Sequence, residues 1–191
     1  GYFQMAGFDN TVRLFTDFLK RKGHTKSKNI IRTKTFEDNL NIAYLVHYAH
    51  FRKGNALSLL VKEIALCYEK ISNRKFFLYC IQWVEDEFID SFINQGVKIR
   101  QFPQNLEYDK LDLIEESLIN DDIDVLITDV ASPIATYFFN RRIVLNNIWI
   151  ETNVPFWDTE NIDWTLMVGH TWRPYFSINK AASSTIIIQQ S

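Results

Sequence analysis

The chain has 191 residues, 47% of them hydrophobic and 23% charged, with 21 Lys and Arg against 23 Asp and Glu. This length fits one domain with an appendage and buries roughly 70% of the unfolded surface, which together with the composition excludes a disordered or low-complexity chain. A net charge of -2 supplies no overall basic field, so nucleic acid is not an expected partner.

Gly1-Tyr2-Phe3-Gln4-Met5 reads as a linker remnant ahead of a start methionine, and residues 1–8 are set apart from the fold as a scar without fixed structure. Residues 9–22 predict a helix: Val12, Phe15, Phe18 and Leu19 share one face, Asp9 or Asn10 caps it, and Gly23 ends it. The basic stretch from His24 to Lys34 reads as a solvated linker, so residues 9–40 form a helix-plus-linker appendage.

From residue 41 the pattern alternates. Residues 41–48 (NIAYLVHY) are a dense apolar strand. Residues 55–72 follow as a helix capped by Asn55, with Leu57, Leu60, Val61, Ile64, Tyr68 and Ile71 along its apolar stripe. A strand is predicted over 75–82, a short helix over 85–95 closed by Gly96, and a strand over 97–102 stopped by Pro103. A helix over 108–120 turns Leu111, Ile114, Leu118 and Ile119 inward, and a strand over 123–129 follows. Ser132-Pro133 is a helix start, N-cap then proline, for a helix to about Arg141. Strands over 143–149 and 163–168 complete the pattern.

Strands alternating with helices of 10–18 residues mean βαβ units, and near-continuous apolar strands mean a sheet covered on both faces. With right-handed crossovers this gives an α/β fold: a doubly wound, mostly parallel sheet of about six strands in a three-layer, Rossmann-like sandwich over residues 41–190. Cys67 and Cys80 lie among apolar neighbours and read as two reduced core thiols of a cytoplasmic protein. No apolar run reaches the roughly 18–20 residues of a membrane span, and no signal peptide is read.

In such a sheet ligands bind beyond the carboxyl ends of the strands. After the first strand, His50 and Arg52 flank Gly54-Asn55, which opens a helix whose free N–H groups favour an anion or sugar oxygens. His47 sits on the strand itself and reads as a satisfied histidine. Asp129 ends the fourth predicted strand, placed either to meet hydroxyls or to cap local N–H groups. Asp121, Asp122 and Asp124 stand at that strand's other end and read as solvent charges. A loop rich in aromatic, amide and acid groups follows the fifth, with Glu151, Asn153, Trp157, Asp158 and Glu160, and His170 follows the sixth. The four His show no metal-ligand spacing, and neither a G-x-G-x-x-G run, a phosphate-binding P-loop nor a G-x-S-x-G elbow occurs. No metal and no cofactor are therefore expected.

Two stretches carry a resemblance. NIAYLVHYAHFRKGNALSLL (41–60) and IDVLITDVASPIATYFFNRRIVLNNIWIETNVPFWDTENIDWTLMVG (123–169) resemble the N-terminal, acceptor-side Rossmann-like domain of GT-B fold glycosyltransferases. The tail SSTIIIQQS (183–191) looks like the crossover into that family's second domain. The resemblance implies a two-domain enzyme whose nucleotide-sugar is held by a C-terminal domain missing here, so that this piece alone would be inactive. It implies a sugar acceptor (glycan, lipid-linked or protein) on this side, with His50, Asp129 and Glu151 as base or hydroxyl-binding groups. Arg52, Gly54, Asn55, Ser132, Asn153, Trp157 and His170 become substrate contacts. The sequence departs from the family in having one glycine, Gly54, where a pair follows the first strand. A non-catalytic glycosyltransferase-like partner and a flavodoxin-like or periplasmic-binding-like domain stand as alternatives.

Overall fold

The computed structural model describes residues 40–46, 56–71, 75–81, 86–103, 108–129, 133–151, 162–168 and 185–188, together with Leu14, Asp17 and Arg21. Among these are seven strands: β1 (Ile42–Val46), β2 (Phe76–Cys80), β3 (Lys98–Gln101), β4 (Val125–Thr128), β5 (Asn146–Glu151), β6 (Trp164–Val168) and β7 (Thr185–Ile188). Four helices join them: α1 (Ala56–Ile71), α2 (Asp86–Ile93), α3 (Tyr108–Asn120) and α4 (Pro133–Arg141). Leu14, Asp17 and Arg21, inside the helix predicted over 9–22, are helical.

The chain forms two compact units: residues 31–128, and residues 1–30 with 129–191. In the first, the strands lie in the order β3-β2-β1-β4, with each neighbouring pair parallel. In the second, the order is β5-β6-β7, again parallel. This is the α/β, Rossmann-like class that the alternating pattern predicts. The predicted tail crossover contains a seventh strand: β7 pairs with β6 from Thr165↔Thr185 to Val168↔Ile188, as its run of β-branched residues favours.

β2 and β4 are buried along their whole length, and β1 is buried from Ala43 to Val46, as strands covered on both faces must be. β3, at the end of the order, is largely exposed and carries Lys98 and Arg100, charges that discourage pairing with a further strand. Lys98 Nζ also lies 5.3 Å from the Phe77 ring centroid, so one lysine serves both solvent and core.

Helix by helix, the buried faces refine the predicted stripes. On α1 the buried residues are small, Ser58, Val61 and Ala65, while Leu60, Ile64 and Tyr68 flank them half-buried. A helix meets a sheet closely where its side chains are short, so the large apolar residues move to the sides. Cys67 is exposed on this helix, not in the core, whereas Cys80 is buried and burial pushes its thiol up to about 12. On α2, Phe88, Ile89 and Phe92 are buried, with Phe88 and Phe92 edge to face at 5.0 Å. Gly96 closes the helix at φ 87°, where Val97 N–H reaches the Phe92 carbonyl.

α3 buries Leu111, Ile114 and Leu118 as predicted, but Ile119 is 45% exposed and Lys110 is 4% exposed. At about 100° per residue, position 110 lies about 40° beyond the arc that 111, 114 and 118 span, and position 119 about 80° beyond it on the other side. Asp122 ends this helix in the left-handed region at φ 50°, and Arg142 ends α4 the same way at φ 53°. α4 begins at Pro133, the predicted start. Ile143 and Val144 are buried but precede β5, which begins at Asn146, later than predicted.

Polar side chains fasten the amino ends of the strands in both units. In the first, Asn41 N–H donates to Asp124 Oδ2 at 2.8 Å, and Asp124 N–H returns to the Asn41 carbonyl at 2.9 Å. Asn41 Nδ2 donates to the carbonyls of Asp121 and Asp122, both at 3.1 Å. Asp121 accepts from Tyr79 Oη at 2.6 Å and from Arg100 through two nitrogens. The sequence reading of Asp121 and Asp124 as solvent charges is thus overturned: Asp124 is fully buried, and both are fixed by groups at least 21 residues away in the chain. Burial pushes the Asp121 carboxyl up, but the hydrogen bonds from Arg100 and Tyr79 and nearby positive charge outweigh it, so its pKa lies below the usual range. Burial and the Asp121 partner together hold the Tyr79 hydroxyl well above its usual range.

In the second unit, Asn147 N–H donates to Asp163 Oδ2 at 2.7 Å, and Asp163 N–H returns to the Asn147 carbonyl at 2.9 Å. Arg142 grips both oxygens of the same Asp163 at 2.7 and 2.9 Å. Asn147 Nδ2 donates to the Phe139 carbonyl at 3.1 Å, tying the end of α4 to β5.

Candidate functional site

The first unit's strand order reverses direction of growth between β1 and β4, because β2 and β3 add on one side of β1 and β4 on the other. Such a switch point opens a crevice at the carboxyl ends of the two strands. Those ends are Val46 and Thr128. Thr128 Oγ1 donates to the Leu45 carbonyl at 3.3 Å, both buried, which locks the last residue of β4 against β1. Asp129 follows immediately and is only 7% exposed.

The ladder continues past the neighbouring strands. Ile81 N–H donates to the Val46 carbonyl at 3.1 Å, and Phe102 N–H to the Cys80 carbonyl at 2.9 Å. The Ile81 carbonyl then accepts from Lys110 Nζ at 2.6 Å. Lys110 lies in the first turn of α3, so helix and strand end meet at this edge through a buried ammonium. Burial holds the Lys110 pKa below its ordinary 10.5, and no carboxylate among the described residues offsets that effect. Sequence reasoning missed Lys110; the signal was a lysine four residues before Ile114 and eight before Leu118, on the face that the apolar residues define.

Of the predicted site residues, Asp129 directly follows β4, and Glu151 is the last residue of β5, level with Met167 of β6. His50, Arg52, Gly54, Asn55, Ser132, Asn153, Trp157 and His170 lie outside the described residues, as does His47. Among the described residues no group of three or more His, Cys, Asp or Glu side chains is placed to hold a metal ion. None of their helices is long and apolar enough to cross a membrane.

No family model matches the sequence, and no curated protein matches it. Solved structures do match in fold. An O-GlcNAc transferase mutant (K341M) from Thermobaculum terrenum overlays 94% of this chain and 33% of its own, with a TM-score of 0.56 at 14% identity. A glycosyltransferase from Rickettsia africae overlays 81% of this chain and 44% of its own, with a TM-score of 0.58 at 9% identity. HepE from Anabaena, solved with UDP and glucose, overlays 78% of this chain and 44% of its own, with a TM-score of 0.54 at 11% identity. At these identities the likeness establishes the fold, which the chain shares with solved glycosyltransferases. The chain spans less than half the length of each.

Proposed function

We propose that this chain is the acceptor-side, N-terminal domain of a two-domain GT-B glycosyltransferase that moves a sugar from a nucleotide-activated donor. The observation that carries the reading is the asymmetry of coverage: three glycosyltransferases overlay 78–94% of this chain, yet the chain reaches only 33–44% of them. A fold that fills one Rossmann-like half leaves the donor half to another part of the gene product. The β1/β4 switch point supports an acceptor crevice here.

On this reading His50, Asp129 and Glu151 bind the acceptor hydroxyl or take its proton. Arg52, Gly54, Asn55, Ser132, Asn153, Trp157 and His170 contact the substrate. The chemistry asks little more of this half than orientation and one proton acceptor.

The test has two arms. The complete gene product, incubated with uridine and guanosine diphosphate sugars, should release nucleoside diphosphate. This chain alone should release none and should bind the same donors no more tightly than about 1 mM, roughly 4 kcal/mol. Micromolar donor binding to this chain would overturn the acceptor-side assignment. No release by the complete product would favour a non-catalytic partner. Where release occurs, Asp129→Asn and His50→Ala should each lower turnover by about 10²–10⁴-fold if the residue is the base; unchanged turnover in both would remove them from the chemistry.

A further inference from the structure

Charge is spread unevenly along the chain. Residues 13–34 hold eight of its 21 Lys and Arg and one of its 23 Asp and Glu, a local charge of +7 in a chain whose total is -2. All other residues together carry 13 basic groups against 22 acidic ones. Such a sum does not depend on where any one side chain lies, and it draws the segment toward negatively charged surfaces. The helix predicted over 9–22 is also amphipathic. At about 100° per residue, Leu14, Phe18, Phe15, Leu19 and Val12 follow one another across an arc of about 160°, while Arg13, Lys20 and Arg21 fall outside it. Lys22 is the one cation of that helix inside the arc, and it stands in the last turn, where a long stem lets an ammonium reach past apolar neighbours. Leu14, Asp17 and Arg21 are helical and exposed, and Leu14 at 60% is the most exposed of the large apolar residues described. Arg21 Nε donates to the Asp17 carbonyl at 3.3 Å, one turn back along the helix. An exposed leucine on the border between an apolar arc and a cationic flank is the pattern of helices that lie in the interface of a bilayer.

We propose that residues 13–34 seat this chain on an anionic lipid surface, with Lys and Arg on the headgroup phosphates and Leu14 at the acyl boundary. Charge complementarity sets the sign of the partner, and eight cations match the clusters of about four to eight that recognise anionic headgroups. Leu14 selects lipid over nucleic acid: an aliphatic side chain finds no partner on a sugar-phosphate backbone, but gains by leaving water at a bilayer. The seating is peripheral, because so many charges forbid a membrane span. The inference does not rest on the transferase reading.

The test is co-sedimentation of this chain with vesicles of phosphatidylcholine alone and of phosphatidylcholine with about one third phosphatidylserine, at about 0.1 M and about 0.5 M salt. Binding to the anionic vesicles that the neutral ones lack, and that weakens about tenfold or more at the higher salt, supports the proposal. Lys20→Gln, Lys22→Gln, Lys26→Gln and Lys28→Gln in one variant should weaken binding about a hundredfold or more. Leu14→Asn, which leaves the charge as it is, should weaken it a few-fold. No binding to either vesicle, equal binding to both, or unchanged affinity in the fourfold lysine variant overturns the proposal. Unchanged affinity in Leu14→Asn, with tighter binding to a DNA duplex than to anionic vesicles, overturns the lipid assignment in favour of nucleic acid. The wild-type comparison of the two vesicles decides the matter even where a variant does not fold.

Discussion

The two units solve the same problem with different numbers of residues. Each must hold the amino ends of two parallel strands in register, and each uses an Asn–Asp pair whose backbone and side chain answer one another. In the first unit the work is divided: Asp124 receives the Asn41 amide, while Asp121 receives Arg100 and Tyr79. In the second, Asp163 alone receives both the Asn147 amide and the Arg142 guanidinium. The difference teaches that a register lock can be spread or concentrated, and that the concentrated form is the more fragile to a single substitution.

The largest expected effect follows from that. Asp163→Ala removes an acceptor for a backbone amide and an ion pair at once, and should cost about 2–3 kcal/mol. For a chain of this length that lowers the melting temperature by roughly 5–10 °C. Asp124→Ala should cost about 1–2 kcal/mol and Asp121→Ala about 1 kcal/mol, since half of the Arg100 side chain is exposed and solvent screens its pairing. Melting followed by circular dichroism checks the order. If Asp163→Ala costs no more than Asp124→Ala, the concentrated lock is not the more fragile one.

The acid limb sharpens the contrast further. Asp121 has a folded pKa below its unfolded value, so its contribution is present in full above the unfolded value of about 3.9 and is lost as pH falls through the folded value. The melting temperatures of wild type and Asp121→Asn should therefore differ at neutral pH and converge in strong acid. A gap that persists unchanged to pH 2 would show that Asp121 acts through something other than its charge.

The smallest effect concerns the helix ends. Asp122 and Arg142 occupy the left-handed region, which costs a non-glycine residue about 1–2 kcal/mol. Asp122→Gly should stabilise by up to about 1 kcal/mol. Arg142→Gly relieves the same strain but loses the Asp163 pair, so it should be close to neutral. A clear gain in both, by chemical denaturation, would mean that the Arg142 pair contributes nothing.

Much of this was legible from local pattern. The apolar runs of β1, β2 and β4, the stripe Leu111–Ile114–Leu118, the stop at Gly96 and the start at Pro133 all stand where periodicity and capping put them. What failed was whatever depended on a partner far along the chain. Asp121 and Asp124 look like solvent charges until Arg100, Tyr79 and Asn41 are brought to them. Ile186–Ile188 gives no sign of belonging to this sheet until β6 lies beside it. Cys67 and Ile119 look buried by type, yet helix rotation turns them out.

By itself, the sequence determined the alternation of strands and helices and hence the α/β class, because hydrophobic period and capping act over a few residues. It also marked which residues follow strands, and so which ones were worth weighing for chemistry. Only the tertiary structure decided the strand order 3-2-1-4 with its switch point, the carboxylates that lock the amino ends, and the burial of Lys110 against Ile81. Each of these joins groups 16 or more residues apart or depends on the rotation of a helix by a fraction of a turn. Such joins are settled by long-range packing, and local spacing does not encode the partners.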